Sequence, residues 1–169
     1  MTSLEGVYNG MWVNDEKNGQ GNMLYAAVTS KETGESSQDY YEGGWRNGLR
    51  EGEGEYRYGN GDLYRGGWVR DRKEGKGVLS MQTMDVYNGD WLAGKKHGLG
   101  RYTFANEDYY EGEFVEGNRF GRGRYVWTDG SLYEGEWKAD KMNGHGMYRG
   151  NDGSVVRGLF LNDNLVEQE

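Results

Sequence analysis

Cysteine is absent from the 169-residue chain, which excludes disulfides and thiolate metal sites and fits a reducing compartment better than a secretory one. Isoleucine is absent too, and leucine, valine and phenylalanine are sparse. No apolar run approaches the length of a membrane span, and no Asn-x-Ser/Thr sequon occurs. The opening Met-Thr-Ser-Leu-Glu-Gly lacks the basic and apolar blocks of a signal peptide, so a cytosolic protein is expected. Basic charge is also short: a net charge of -8 opposes nucleic acid as a partner, because neutralising phosphates needs a strongly basic face. So few aliphatic residues with this net charge would ordinarily indicate disorder. Here 14 tyrosines and 6 tryptophans supply the missing apolar area.

Those rings are placed periodically. Tyr-x-Gly-x-Trp/Phe occurs at Tyr8 to Trp12, Tyr41 to Trp45, Tyr64 to Trp68, Tyr87 to Trp91, Tyr110 to Phe114 and Tyr133 to Trp137, with a degenerate copy from Val156 to Phe160. From Tyr41 onward the tyrosines recur every 23 residues, and a Gly-x-Gly lies 11 residues after each of the six. Such self-similarity predicts one array over residues 1–169, with repeats starting near 8, 41, 64, 87, 110 and 133 and a half repeat at 155–160.

Parity within a repeat decides the fold. In Tyr41-Glu42-Gly43-Gly44-Trp45 the residues 41, 43 and 45 share one face of a strand, and in Gly52 to Tyr58 the glycines and tyrosines share a face opposite the charges. Asn47-Gly48 between the segments signals a hairpin, and Asn60-Gly61, Asp129-Gly130 and Asp152-Gly153 signal turns between repeats. The expectation is an all-β, single-layer antiparallel meander of stacked β-hairpins. Pairing Trp45 with Gly52 puts Gly43 opposite Gly54 and Tyr41 opposite Tyr56. On the other flank, pairing Gly54 with Trp68 puts Tyr58 opposite Tyr64. Each indole would then lie between two glycines, which explains glycine in a strand it otherwise weakens.

Two repeats depart from the rest. The first carries 10 extra residues within 26–39, polar and without aromatics, read as a lengthened solvated loop or a partner contact. The third places Leu79 and Met81 where its neighbours carry rings, a softer patch in the stripe.

The residues Tyr133-Glu134-Gly135-Glu136-Trp137, the Gly-x-Gly eleven residues on, and Asp129-Gly130-Ser131 before the tyrosine resemble the MORN repeat (membrane occupation and recognition nexus). The resemblance covers about residues 4 to 160. It implies an elongated, twisted, groove-forming hairpin sheet. The family includes cytoskeletal and ciliary scaffolds, junctional proteins and non-catalytic regions joined to enzymes, and its members bind helical or extended partner segments or contact phosphoinositides.

No residue set points to catalysis, a cofactor or a metal. His97 and His145 have no nearby nucleophile or ligand pattern, and the pairs Glu111/Glu113 and Glu134/Glu136 follow from strand periodicity rather than from an acid-base site. A single layer instead leaves an uncovered stripe of Tyr41, Trp45, Tyr64, Trp68, Leu79, Met81, Tyr87, Trp91, Tyr110, Phe114, Tyr133 and Trp137. That stripe suits a non-catalytic scaffold holding an amphipathic helix or extended segment of a protein partner, with flanking acids selecting basic residues, in the cytoplasm and in a cytoskeletal or ciliary assembly. The alternative is peripheral membrane contact through a basic edge of Arg46, Arg50, Arg70, Arg72, Lys73, Lys95 and Lys96. The half repeat could also pair with another copy as a homo-oligomer.

Overall fold

The computed structural model describes residues 2–3 and 6–169. Residue 4, where the family resemblance begins, lies outside them. The chain divides into two compact units. The first holds β1 (Thr2–Ser3), β2 (Gly6–Val13), β3 (Glu16–Tyr25), β4 (Val28–Thr29), β5 (Ser36–Ser37), β6 (Tyr40–Arg46), β7 (Leu49–Arg57), β8 (Leu63–Val69) and β9 (Arg72–Ser80). To the second belong β10 (Val86–Leu92, its last residue excepted), β11 (Lys95–Thr103), β12 (Tyr109–Val115), β13 (Asn118–Val126), β14 (Leu132–Lys138), β15 (Lys141–Arg149), β16 (Val155–Leu161) and β17 (Asn164–Gln168). Within each unit the strands form a single antiparallel layer in chain order, except that β4 and β5 pair only with each other. The fold is the all-β antiparallel meander of hairpins that the alternating sequence demands.

Two-residue turns close the hairpins. Arg46 pairs with Leu49 around Asn47-Gly48, Val69 with Arg72 around Arg70-Asp71, and Lys138 with Lys141 around Ala139-Asp140. Both central residues take positive φ in each case, the mark of a type I′ turn whose twist matches the strands it joins. Asn-Gly announces this turn only once, and at the others Arg70 and Ala139 are held in the left-handed region by the flanking ladder.

The register agrees with the expected one for Tyr41 opposite Tyr56 and Gly43 opposite Gly54, and departs from it beyond. Trp45 pairs with Arg50 rather than Gly52, because β7 carries Glu51 to Glu53 across from Gly44 alone. The same bulge puts Gly121 and Arg122 between the partners of Gly112 and Glu113. On the other flank Gly54 pairs with Gly66 and Trp68 with Gly52, so the tyrosine opposite Tyr64 is Tyr56. Trp45, Trp68 and Trp137 therefore each face one glycine and one residue of the bulged strand.

This bulge separates the roles of the two glycines in Gly-x-Gly. Gly52, Gly75 and Gly121 have φ of 82°, 72° and 61°, a conformation that costs an L-residue strain, and a Cβ on Gly75 would meet nothing within 4 Å. The second glycine is a steric requirement. A Cβ on Gly100 would lie 2.5 Å from Tyr87 Oη, and one on Gly89 would meet the same oxygen at the same distance. The ring of the tyrosine, not the indole, covers the paired glycines.

The tyrosine also caps the bulge. Its hydroxyl donates to the carbonyl three residues on, from Tyr41 to Gly44 at 3.0 Å, Tyr64 to Gly67 at 3.0 Å, Tyr87 to Asp90 at 2.9 Å, Tyr110 to Glu113 at 3.0 Å and Tyr133 to Glu136 at 3.1 Å. A bulge interrupts the ladder, and the phenol supplies the missing donor where an unpaired buried carbonyl would be costly. All five tyrosines are fully buried.

Two substitutions distinguish the glycine roles. Gly100→Ala should lower stability by about 2 kcal/mol or more, since the new methyl displaces a buried ring. Gly75→Asn should cost under about 1 kcal/mol, because asparagine tolerates positive φ and the space is open. Denaturant melts of both variants check this, and similar losses at the two positions would contradict the division of roles.

Candidate functional site

Edge-to-face contacts join the buried rings into a ladder in each unit. In the first unit Tyr8 packs on Trp12 and Trp45, Tyr41 on Trp45 and Trp68, and Tyr64 on Trp68, with centroids 5.1–5.5 Å apart. In the second, Tyr87 packs on Trp91 and Phe114, Tyr110 on Phe114 and Trp137, and Tyr133 on Trp137 and Phe160. Tyr8, Tyr41, Tyr87, Tyr110 and Tyr133 are thus each held between the Trp or Phe of its own repeat and that of the next, the T-shaped geometry that ring quadrupoles favour.

This ladder corrects the expected open stripe. Tyr41, Trp45, Tyr64, Trp68, Tyr87, Trp91, Tyr110, Phe114, Tyr133 and Trp137 are all 5% exposed or less. Only Leu79 and Met81 of that set are partly accessible. Ten of the twelve residues are the core of a one-layer protein, covered by one another and by what lies above them.

Above the ladder runs a second row of rings at the ends of the odd-numbered strands and just past them. In the second unit it is continuous, from Tyr102 to Phe104, Tyr125, Trp127 and Tyr148, with centroids 4.6–5.8 Å apart. In the first unit Tyr25, Tyr56 and Tyr58 form the corresponding row. Apart from Tyr56, which is buried, these rings are half-buried, with one surface on the core and one toward solvent.

Aspartates two residues before the core tyrosines fix this row. Asp39 accepts from Tyr56 Oη at 2.6 Å and from Gly59 N at 2.7 Å, Asp85 from Tyr102 Oη and Ala105 N, and Asp108 from Tyr125 Oη and Thr128 N. One carboxylate so orients a ring and anchors the next turn between repeats. These hydrogen bonds hold the Asp108 carboxyl below its usual range although burial opposes them. The sequence signal for these contacts is the 23-residue spacing of Asp39, Asp62, Asp85 and Asp108, which parity and ring placement alone do not bring out.

Cations complete the face. The residue nine positions after each core tyrosine lies opposite or beside the tryptophan and therefore shares its side: Lys17, Arg50, Lys73, Lys96 and Arg119. Arg50 stands 4.3 Å from the Trp68 ring and 4.9 Å from Tyr56, Arg119 stands 4.5 Å from Trp137, and Lys96 Nζ lies 4.6 Å from Tyr102. Burial lowers the pKa of Lys73 to about 8 and lowers that of Lys96 as well.

The expected basic edge therefore splits. Arg46, Arg70, Arg72 and Lys95 are exposed, while Arg50, Lys73 and Lys96 are half-buried over rings and do not belong to an outer ridge. Of the exposed set, Arg46 lies 4.0 Å from Glu51 and Lys95 is paired with Glu116. Beside the rings stand both these cations and the carboxylates of Asp39, Asp85 and Asp108. Glu111, Glu113, Glu134 and Glu136 are exposed residues of the other parity, and a cavity of about 320 Å³ on that side is lined by Glu134, Glu136, Arg122, His145 and Arg157.

Two concavities open on the ring face. One of about 620 Å³ in the first unit is lined by Lys17, Tyr25, Trp45, Arg50, Asp71 and, from the insertion, Ala26, Val28 and Ser37. The insertion is thus a small hairpin that walls the ring face, tied down by Gln38 Nε2 donating to the Tyr25 carbonyl at 2.7 Å. The other, about 340 Å³, lies in the second unit between Lys96, Tyr102, Phe104, Phe114, Arg119 and Asp140. Among the described residues no group of His, Cys, Asp and Glu could hold a metal ion.

The family model of the MORN repeat matches residues 8–27, 41–63, 64–82, 87–109, 110–132 and 133–155. No curated relative matches the sequence. Among solved structures, the chain is similar to the SAS-4 (dCPAP) TCP domain of Drosophila melanogaster in complex with a proline-rich motif of Ana2 (dSTIL). The identity is 14% and the TM-score 0.45, over 79% of this chain and 77% of that one.

The titrations of this face set a pH profile. Burial raises the phenol of Tyr133 to about 12 and raises those of Tyr41, Tyr64, Tyr87 and Tyr110 too. Unfolded tyrosines ionise near pH ~10 while the folded ones keep their protons, so stability falls as pH rises above about 10. Lys73 acts oppositely: between its folded pKa of about 8 and the unfolded ~10.4 the unfolded chain binds more protons, and stability rises with pH. The thermal midpoint should rise slightly from pH ~8 to ~10 and then fall steeply, with the core tyrosines contributing tyrosinate absorbance only as the protein melts. Ionisation of all 14 tyrosines ahead of the melt would contradict the buried ladder.

Proposed function

The chain belongs to the MORN repeat family, and from that premise we propose that it is a non-catalytic protein-binding module holding an extended or helical segment of a partner on its ring-and-cation face. The observation that carries this reading is the second ring row. Tyr102, Phe104, Tyr125, Trp127 and Tyr148 are rigid, half-exposed rings whose hydroxyls or neighbours are already fixed by Asp85 and Asp108. Aromatic side chains held in place lose little entropy on contact and make effective anchors. The reading extends to a cytoplasmic, cytoskeletal or ciliary assembly on the strength of what the family does elsewhere.

Membrane contact is the second reading, and its support is the exposure of Arg46, Arg70, Arg72 and Lys95. It is weaker, because Glu51 and Glu116 neutralise part of that edge and the overall charge is negative. Assembly with another copy would use the outer edge of β17, where Leu165 and Val166 are exposed.

Photo-crosslinking tests the working face. A crosslinker placed at Phe104 or Trp127 should capture a protein from cytosol that one at Glu134 does not. Phe104→Ser with Trp127→Ser should weaken that capture at least about tenfold while far-ultraviolet dichroism stays unchanged. Capture confined to Glu134 would move the function to the opposite face.

A further inference from the structure

The cation row contains its own control. The sixth repeat has Met142 at the position that Lys17, Arg50, Lys73, Lys96 and Arg119 occupy in the others, and β15 folds into the same ladder, with Met142 paired to Trp137. A positive charge there is not required by the fold. What the charge does then depends on the turn of the following repeat.

Where that turn ends in aspartate the cation is spent internally. Arg50 Nε donates to Asp71 Oδ1 at 2.8 Å, with the Asp71 carbonyl accepting from Nη2 at 3.1 Å, and Arg119 Nε donates to Asp140 Oδ1 at 3.2 Å. For Lys96 the corresponding turn is Glu116-Gly117, and Gly117 offers only its N–H, which donates to the Lys96 carbonyl at 2.9 Å. The Glu116 carboxylate is engaged by Lys95. Among the described residues no carboxylate lies within ion-pair distance of Lys96 Nζ, whose neighbours are the rings of Tyr102, Phe114 and Tyr87 at 4.6, 5.6 and 5.7 Å.

This ammonium borders the cavity of about 340 Å³, together with Arg119 and Asp140. Two cations face it against one carboxylate, and that carboxylate already serves the guanidinium. A half-buried charge without a counterion is held at an electrostatic cost that one added anion would relieve. The walls formed by Tyr102, Phe104 and Phe114 are aromatic, so the anion must arrive on a partly apolar carrier.

We propose that the cavity between Lys96, Arg119, Phe104 and Phe114 receives a single aspartate or glutamate side chain of the partner segment, with an adjacent apolar side chain against the rings. Resting on the protein-binding reading above, this gives the partner its chemistry: an acidic, apolar segment rather than the basic one expected from the sequence. A singly charged carboxylate matches one unspent ammonium. A polyphosphorylated lipid headgroup would bring several charges to a cavity that also holds Asp140.

An array of randomised seven-residue peptides, probed with the whole protein, tests the proposal. Wild type should enrich peptides with Asp or Glu next to a large apolar residue. Lys96→Met, which copies the sixth repeat, should melt like wild type, lose the acidic preference by about tenfold and keep the apolar one. Phe104→Ser should lose both. Wild-type peptides enriched in basic or neutral residues would overturn the carboxylate site and leave the protein-binding reading standing, whereas absence of any enrichment would sink both. Unfolding of Lys96→Met would show the charge to be structural, and would overturn the proposal. In a second arm, phosphatidylcholine vesicles with and without phosphatidylinositol bisphosphate are sedimented with both proteins. Lys96-dependent binding only to the charged vesicles would reassign the ammonium to lipid and likewise overturn it.

Discussion

A tyrosine lying over two glycines is the contact on which the rest of the structure depends. The ring can reach the sheet only because Gly89 and Gly100, or their counterparts, present bare backbone, and its hydroxyl can reach the carbonyl of Asp90 only because the ring lies flat enough to cross the bulge. The bulge in turn sets the register after it, bringing a cation rather than a glycine beside the tryptophan. Removing any one of the three parts leaves the others without a reason: glycines without the ring would weaken the strand, and the bulge without the phenol would strand a carbonyl.

From this follows how a single layer can possess a core. Most sheets bury one face against a second layer. Here rings edge into rings along the chain, so Tyr41 is sealed by Trp45 and Trp68 and by the Arg50 guanidinium above. Aliphatic side chains could not do this, since they have neither the reach to span two strands nor a hydroxyl to satisfy the backbone. The scarcity of leucine and isoleucine is accordingly a property of the architecture, and it explains why a composition resembling that of a disordered chain folds.

Much of this was legible in the sequence, because strict period and parity report directly on backbone geometry. Tyr41 opposite Tyr56 and Gly43 opposite Gly54 follow from alternation alone. Trp45 opposite Arg50 does not, since a bulge is a break in alternation, and the only trace of it is a glycine whose φ is positive, as at Gly52. The burial of Tyr41 and Trp45 was missed for a related reason: parity says which side a ring is on, not how deeply its neighbours cover it. The insertion at 26–39 was read as a loop or a contact, and its short hairpin walling the ring face comes from the pairing of Val28 with Ser37, two residues with no periodic signal.

Separating the core ladder from the row above it changes what variation along the array means. A core tyrosine answers to two glycines, a bulge and the neighbouring Trp or Phe rings, so it has little freedom to differ between repeats. The upper positions answer to one another only loosely: Tyr102 and Phe104 become Tyr125 and Trp127 in the next repeat and Leu79 and Met81 in another unit, and the position of the cation holds arginine, lysine or, without charge, methionine. Arginine accompanies aspartate in the following turn at Asp71 and Asp140, and lysine accompanies glycine at Gly48, Gly94 and Gly117. A guanidinium matched bidentately to a turn is fixed, while the Lys96 ammonium, whose turn offers Gly117, faces the rings of Tyr102 and Phe114. The identity of one turn residue thus separates Arg50 and Arg119, which serve the turn, from Lys96, which borders a cavity, and under the proposed function specificity would vary at these upper positions without altering the ladder beneath.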